Sequence, residues 1–205
     1  MGGRGATSSH GKTKTKEKPR QKGHLTGDQI PKTPEETAKY IGSTVQEAKD
    51  MYNAVKTFTS NSGYGLMRDA QMGKNQSATG KKLAEQAEKY IDHAPKWGGG
   101  VTYRGVPMSK KQLAAIKAGK PVDPGLSALA SWSTQEGTAR GFASKGGSAH
   151  VVFVSQTQNK GTSIKHISHY AHENEVLVSK NAKYTVTSIS TKPGSPYTYV
   201  YVKEN

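Results

Sequence analysis

His172-Glu173-Asn174-Glu175-Val176-Leu177-Val178 reads as a polar approach to a buried strand. Val176-Leu177-Val178 is a short apolar, β-favouring run of the kind that fills a sheet interior. Side chains alternate along a strand, so continuing it backwards sets Glu173 and Glu175 on one face, close together. Two like charges at the border of a core are unfavourable unless something else needs them. One carboxylate of a close pair can stay ionised while its neighbour is pushed toward the protonated form. Such a pair suits glycosidic cleavage through an oxocarbenium-like state, one member facing the sugar cation and the other orienting a nucleophile. The plainer alternative is two solvated glutamates at a strand start.

Two stretches upstream also put polar groups where a plain strand would be apolar. In Val101-Thr102-Tyr103-Arg104-Gly105, Arg104 shares a face with Thr102, opposite Val101 and Tyr103, and Gly105 permits close backbone approach. A guanidinium there can present a planar donor fork to a phosphate or carboxylate. In Ala130-Ser131-Trp132-Ser133-Thr134, alternation brings Ser131 and Ser133 to one face, able to bond each other or a ribose hydroxyl. Thr134 is placed to cap a helix carrying Ala139, Phe142 and Ala143.

Around these stretches the chain divides in three. Residues 1–32 carry Lys12, Lys14, Lys16, Lys18, Arg20 and Lys22 with almost nothing apolar, the composition of a flexible basic arm. Residues 33–97 read as a small helical region. Thr33-Pro34-Glu35-Glu36 opens one helix, Ser43-Thr44 precedes a second, and Leu83, Ala84, Ala87, Tyr90 and Ile91 mark a third, with Gly63, Gly65 and Gly73 as breaks between. Residues 98–205 are β-rich, with strands expected near 101–105, 128–134, 149–155, 175–179, 183–190 and 197–203. Helices are expected at 110–118, behind a Ser109/Gln112 capping box, and at 135–144. Strands broken by a few helices without regular alternation predict an α+β fold.

The chain has 205 residues, a net charge of +15 and no cysteine. The pI is near 9.8 and the mean hydropathy −0.76. Without cysteine there are no disulfides, thiolate metal sites or thiol nucleophiles. No apolar run is long enough to span a membrane, and no export signal follows the basic start, which places the chain by default in the cytoplasm. The positive field favours nucleic acid or acidic proteins as partners. A non-enzymatic nucleic-acid coat or packaging protein fits that charge, yet has no need for a glutamate pair on a strand. His166, His169 and His172 are spaced by three without a helical stripe, so the reading is a loop of imidazoles with no metal.

The order Arg104, then Ser131-x-Ser133, then Glu173-x-Glu175 within one β-rich domain resembles the mono-ADP-ribosyltransferases of the Arg-Ser-Glu class. That class includes arginine-modifying bacterial toxins and relatives carried by tailed phages. The resemblance covers roughly residues 98–205 and extends to Tyr103 before the arginine, to Phe142 on the trailing helix and to Glu175-Val176-Leu177-Val178. Relatives commonly have Ser-Thr-Ser where this chain has Ser131-Trp132-Ser133. Trp132 is expected on the opposite face, leaving both serines their roles. The glycine-rich basic start Met1-Gly2-Gly3-Arg4-Gly5 looks like that of some phage-encoded proteins.

The resemblance implies a split β-sandwich catalytic core with short helices, behind the helical region, using NAD as co-substrate. It implies that Arg104, with Tyr103 and Gly105, holds the NAD diphosphate and adjacent ribose. Ser131 and Ser133 organise the site, Phe142 packs near the nicotinamide, and Lys145 contacts phosphate. Glu175 is the implied catalytic glutamate, bonding the ribose 2′-hydroxyl and stabilising the oxocarbenium ion. Glu173 faces the acceptor, and Tyr170 recognises the target. A glutamate at position 173 accompanies arginine modification in the family, and a cationic guanidinium does need a carboxylate to bind and help deprotonate it. Nucleic acid as acceptor, and water as acceptor in an NAD glycohydrolase, are the alternatives.

Overall fold

The structure is a computed structural model that describes residues 24–25 and 30–205. The basic arm expected at 1–32 therefore lies almost wholly outside the described residues.

Four helices come first: α1 Pro34–Ile41, α2 Val45–Phe58, α3 Asn61–Gln71 and α4 Ala78–His93. Each begins at a hydroxyl cap, Thr33, Thr44, Ser60 and Ser77 in turn, which accepts one of the backbone N–H groups that a helix start leaves unpaired. At Thr44 the box is reciprocal, with Glu47 reaching back to the cap. Gly63 and Gly65 do not break the chain as the sequence reading expected; α3 runs through both. A Cβ at position 63 would fall 1.9 Å from the Thr57 carbonyl oxygen, so glycine there lets α3 fold back against the end of α2.

The remaining elements are β2 Lys96–Trp97, which pairs in parallel with β1 His24–Leu25, and then a seven-stranded sheet with two helices. In chain order these are β3 Thr102–Met108, α5 Lys110–Lys117, β4 Ala130–Ser133, α6 Glu136–Ala143, β5 Ala149–Ser155, β6 Gly161–Ser163, β7 Glu175–Val178, β8 Tyr184–Thr191 and β9 Tyr197–Glu204. The sheet order is β6-β7-β4-β3-β5-β9-β8, antiparallel except between β5 and β9. All six strands expected from the sequence are present; β6 and the short β1–β2 pair were not anticipated. Gln135, not Thr134, occupies the N-cap of α6 and makes no side-chain cap bond. Ser133 takes over that end instead, accepting the Gln135 N–H at 2.9 Å.

Residues paired across a ladder share a face. One face of the sheet carries Tyr103, Gly105, Ser131, Ser133, Glu175 and Leu177. The four-helix core of Met51, Val55, Phe58, Met67, Tyr90 and Ile91 covers part of that face and takes in Leu129, Ile164 and Leu177 from the β-rich part. Helix α6 covers the β3–β5–β9 part through Ala139, Ala143, Val152, Val154 and Tyr199. It lies so close that a Cβ at position 105 would sit 1.7 Å from the Ala139 carbonyl oxygen. The opposite face buries Trp132, Phe153, Val176 and Val200 with Ile116 of α5, so Trp132 points away from the serines, as alternation requires.

Between β3 and β4 the sheet nearly parts. They share one paired position, Tyr103 with Ser133. Arg104 fills the gap. Its Nη1 donates to the Ser131 carbonyl at 2.7 Å and its Nε to the Pro124 carbonyl at 2.8 Å. A side chain thus supplies the rung that the diverging backbones cannot. Among the described residues no helix is long and apolar enough to cross a membrane.

Candidate functional site

The uncovered strip between α6 and the helical bundle forms a cleft of about 700 Å³. Its floor is β3, β4 and β7, one wall is α6 and the turn after it, and the other is α2–α3 with the loop before β7. The structure brings all of the residues singled out in the sequence to this one cleft: Tyr103, Arg104, Gly105, Ser131, Ser133, Phe142, Lys145, Tyr170, Glu173 and Glu175.

Glu175 opens β7 and is only 6% exposed. Ser131 Oγ donates to its Oε1, and Ser168 Oγ donates to its Oε2 at 3.2 Å. Burial lifts its pKa from the ordinary 4.5 to about 6. The two serine bonds pull the other way, the Glu173 charge adds to the rise and the Arg104 charge opposes it. At neutral pH the carboxyl is mainly ionised, in a setting where its charge is poorly solvated.

Glu173 departs from the strand reading. It ends a 3-10 turn, Ala171–Glu173, and Asn174 then adopts a left-handed φ of 46°. That turn breaks the alternation, so the two carboxylates are not neighbours on one strand face. Glu173 lies half-buried at the rim while Glu175 lies on the floor. Ser133 Oγ donates to the Glu173 carbonyl at 2.6 Å, so the second serine fixes the rim and does not pair with the first.

Arg104 has two of its donors committed to backbone carbonyls. Beside it in the cleft is Arg68 of α3, which the sequence reading missed. Arg68 is 4% exposed, donates to the carbonyls of Leu129 and Gly125, and lies 5.2 Å from the Tyr64 ring. Desolvation lowers its pKa. Neither guanidinium meets a carboxylate among the described residues. Two buried guanidiniums with no carboxylate at ion-pair distance among the described residues leave that end of the cleft suited to an anionic ligand.

Five large apolar side chains are exposed among the described residues, and Tyr64, Leu126, Phe142 and Tyr170 of these line the cleft. An apolar lining concentrated there is the signature of a binding groove and not of scattered surface residues. Lys145 Nζ sits 4.0 Å above the Phe142 ring. The imidazole loop is divided: His166 Nε2 lies 3.2 Å from the Tyr52 hydroxyl and 3.3 Å from that of Tyr90, and burial drives its pKa down to about 4. His172 stacks edge-on with Tyr170 at the surface. Among the described residues no three His, Cys, Asp or Glu side chains are placed to hold a metal ion.

Ser168, Tyr64, Asn61 and Leu126 were also not foreseen. Tyr64 and Arg68 stand four apart on one helix, so their pairing was legible; Ser168 lies in a loop without periodicity and gave no signal.

No protein-family model matches the sequence, and no curated protein does. Solved structures do. The Vis toxin, an ADP-ribosyltransferase from Vibrio splendidus, matches with a TM-score of 0.64 at 22% identity, over 91% of this chain and 89% of its own. Vis in complex with agmatine matches with a TM-score of 0.62 at 23% identity, over 84% of this chain and 82% of that one. Exoenzyme S from Pseudomonas aeruginosa, in complex with human 14-3-3 protein beta and bound to carba-NAD, matches with a TM-score of 0.58 at 19% identity, over 76% and 73%. The fold of this chain is that of the ADP-ribosyltransferases.

Proposed function

We propose that the protein is a mono-ADP-ribosyltransferase, which cleaves the nicotinamide–ribose bond of NAD and passes ADP-ribose to the guanidinium of a protein arginine. The observation that carries this reading is Glu175, a buried carboxylate held on both oxygens at the floor of the cleft. As nicotinamide leaves, positive charge develops on the ribose. A poorly solvated carboxylate stabilises that cation more strongly than a hydrated one would. Arg104 and Arg68 supply the positive setting for a diphosphate, and the exposed rings of Phe142 and Tyr64 supply faces for planar heterocycles. The cleft is within the roughly 300–1,000 Å³ typical of small-molecule sites.

In this reading Glu173, at the rim and apart from Glu175, receives the cationic acceptor and takes a proton as the new bond forms. The structural neighbour holding agmatine, a guanidine, supports an acceptor of that chemistry. Tyr170 beside it would meet the surface around the target arginine. The site of action in this reading is a cytoplasm, as for a toxin-like effector, whether of bacterial or phage origin.

The test is incubation of the protein with labelled NAD and a cell lysate, comparing wild type with Glu175→Ala. Label transferred by the wild type alone supports the reading; equal transfer by both, or by neither, sinks it. The net charge of +15 favours a second acceptor class, nucleic acid. Loss of label to nuclease and not to protease would replace arginine with that acceptor.

A further inference from the structure

We propose that Ser168 is a positioning residue for the catalytic carboxylate, and that it ties this carboxylate to the acceptor loop. The inference rests on the functional reading above and adds a residue to it. Ser168 Oγ makes two bonds at once: it donates to Glu175 Oε2 at 3.2 Å and accepts the Tyr170 N–H at 3.0 Å. One hydroxyl therefore joins the floor of the cleft to the residue that stands at its rim. Ser131 holds only Oε1; without Ser168 the carboxylate could swing about that single bond.

The segment carrying Ser168 is built to stay in place. It leaves β6 through a tight turn in which the N–H groups of Ile167 and Ser168 both bond the Ile164 carbonyl, at 2.8 and 2.9 Å. Ile164 and Ile167 are plugged into the core of the helical bundle. His166 sits between the hydroxyls of Tyr52 and Tyr90. On the far side, the His169 N–H bonds Thr59 Oγ1 at 3.1 Å, and the Tyr170 hydroxyl reaches Asn61 at 3.4 Å. The helical region holds this segment through five residues, and Ser168, lying among them, turns back to the catalytic carboxyl. This gives the helical region a task in the chemistry: it sets the height of the acceptor rim over the floor.

The groups facing the Glu175 carboxyl are Ser131 and Ser168 in direct contact, with the Glu173 and Arg104 charges beyond. A donor bonded to a carboxylate favours its ionised form, so removing one raises the pH at which it titrates. In Ser168→Ala the acid limb of the pH profile for nicotinamide release from NAD should therefore move up by roughly 0.5–1 pH unit. Ser168→Thr should return it to the wild-type position. The same variants are to be followed by carboxyl NMR of Glu175, which needs no turnover: its titration should rise in Ser168→Ala and not in Ser168→Thr. A wild type that releases no nicotinamide would refute the functional reading alone, with the NMR titration still deciding the role of Ser168. An unmoved Glu175 titration in a folded Ser168→Ala protein would overturn the inference, as would an upward move of equal size in Ser168→Thr.

Discussion

Glu175 and Glu173 are two residues apart in sequence and lie in opposite kinds of structure. Glu175 belongs to the floor of the cleft, on a strand paired with β4 along its whole length and backed by the apolar core of the opposite face. Glu173 belongs to the rim, a 3-10 turn held by single side-chain bonds from Ser133 and from the helices through Tyr170 and His169. On the floor the carboxyl is poorly solvated and its pKa is raised to about 6; at the rim it remains in touch with water. The difference suggests a division of labour: bond cleavage in the rigid, dry part, and acceptor choice in the part that can be rebuilt without disturbing the sheet.

That division can be broken in four measurable ways. The largest effect is expected at Glu175. Glu175→Gln should lower nicotinamide release about a thousandfold, since the neutral amide cannot balance the ribosyl cation. Next comes Glu173→Gln, which should cut transfer to a guanidine acceptor about a hundredfold while leaving NAD hydrolysis within about threefold of wild type. Parallel loss of both activities would mean that floor and rim are not separate.

The third effect is on stability and has a definite sign. The Glu175 pKa is raised on folding, so its favourable contribution is complete below 4.5 and is lost as the pH climbs through about 6. Above that, the ionised form costs the fold about 2 kcal/mol. Glu175→Gln should therefore be more stable than wild type by about that amount at pH 7.5, and level with it at pH 4.5. Thermal melts across this range would measure the gap, and a constant difference would contradict the burial argument. If the proposed activity holds, nicotinamide release should fall below about pH 6 for the same reason. The smallest effect is at Tyr170: Tyr170→Ala should raise the acceptor KM a few-fold and leave hydrolysis nearly unchanged.

Much of the floor was legible in the sequence because strands announce themselves by alternation and buried runs. Val176-Leu177-Val178 and the Ser131-Trp132-Ser133 alternation placed both the strands and their faces. The rim was not legible. The left-handed Asn174 that separates the two glutamates is a single-residue event, and it invalidated their expected adjacency. Helix α3 is missed because Gly63 and Gly65 read as breaks between helices; the reason for Gly63, its close approach to the Thr57 carbonyl, exists only in three dimensions. Arg68 and Asn61 reach the cleft, and Ser168 reaches Glu175, through packing between distant segments, a placement that local pattern does not disclose. The split in the sheet was equally hidden, because Arg104 reads as a ligand-binding fork and in fact gives two donors to carbonyls.

Arg104 also constrains how this chain could lose the proposed activity. Because its guanidinium substitutes for a rung between two strands that meet at one pair, its removal leaves the buried Pro124 carbonyl and the half-buried Ser131 carbonyl without their donor. Damage at that position reaches the scaffold together with the chemistry, so its descendants are expected among the misfolded and degraded chains. On the proposed function, inactive copies that still fold should arise instead from lesions at Glu175.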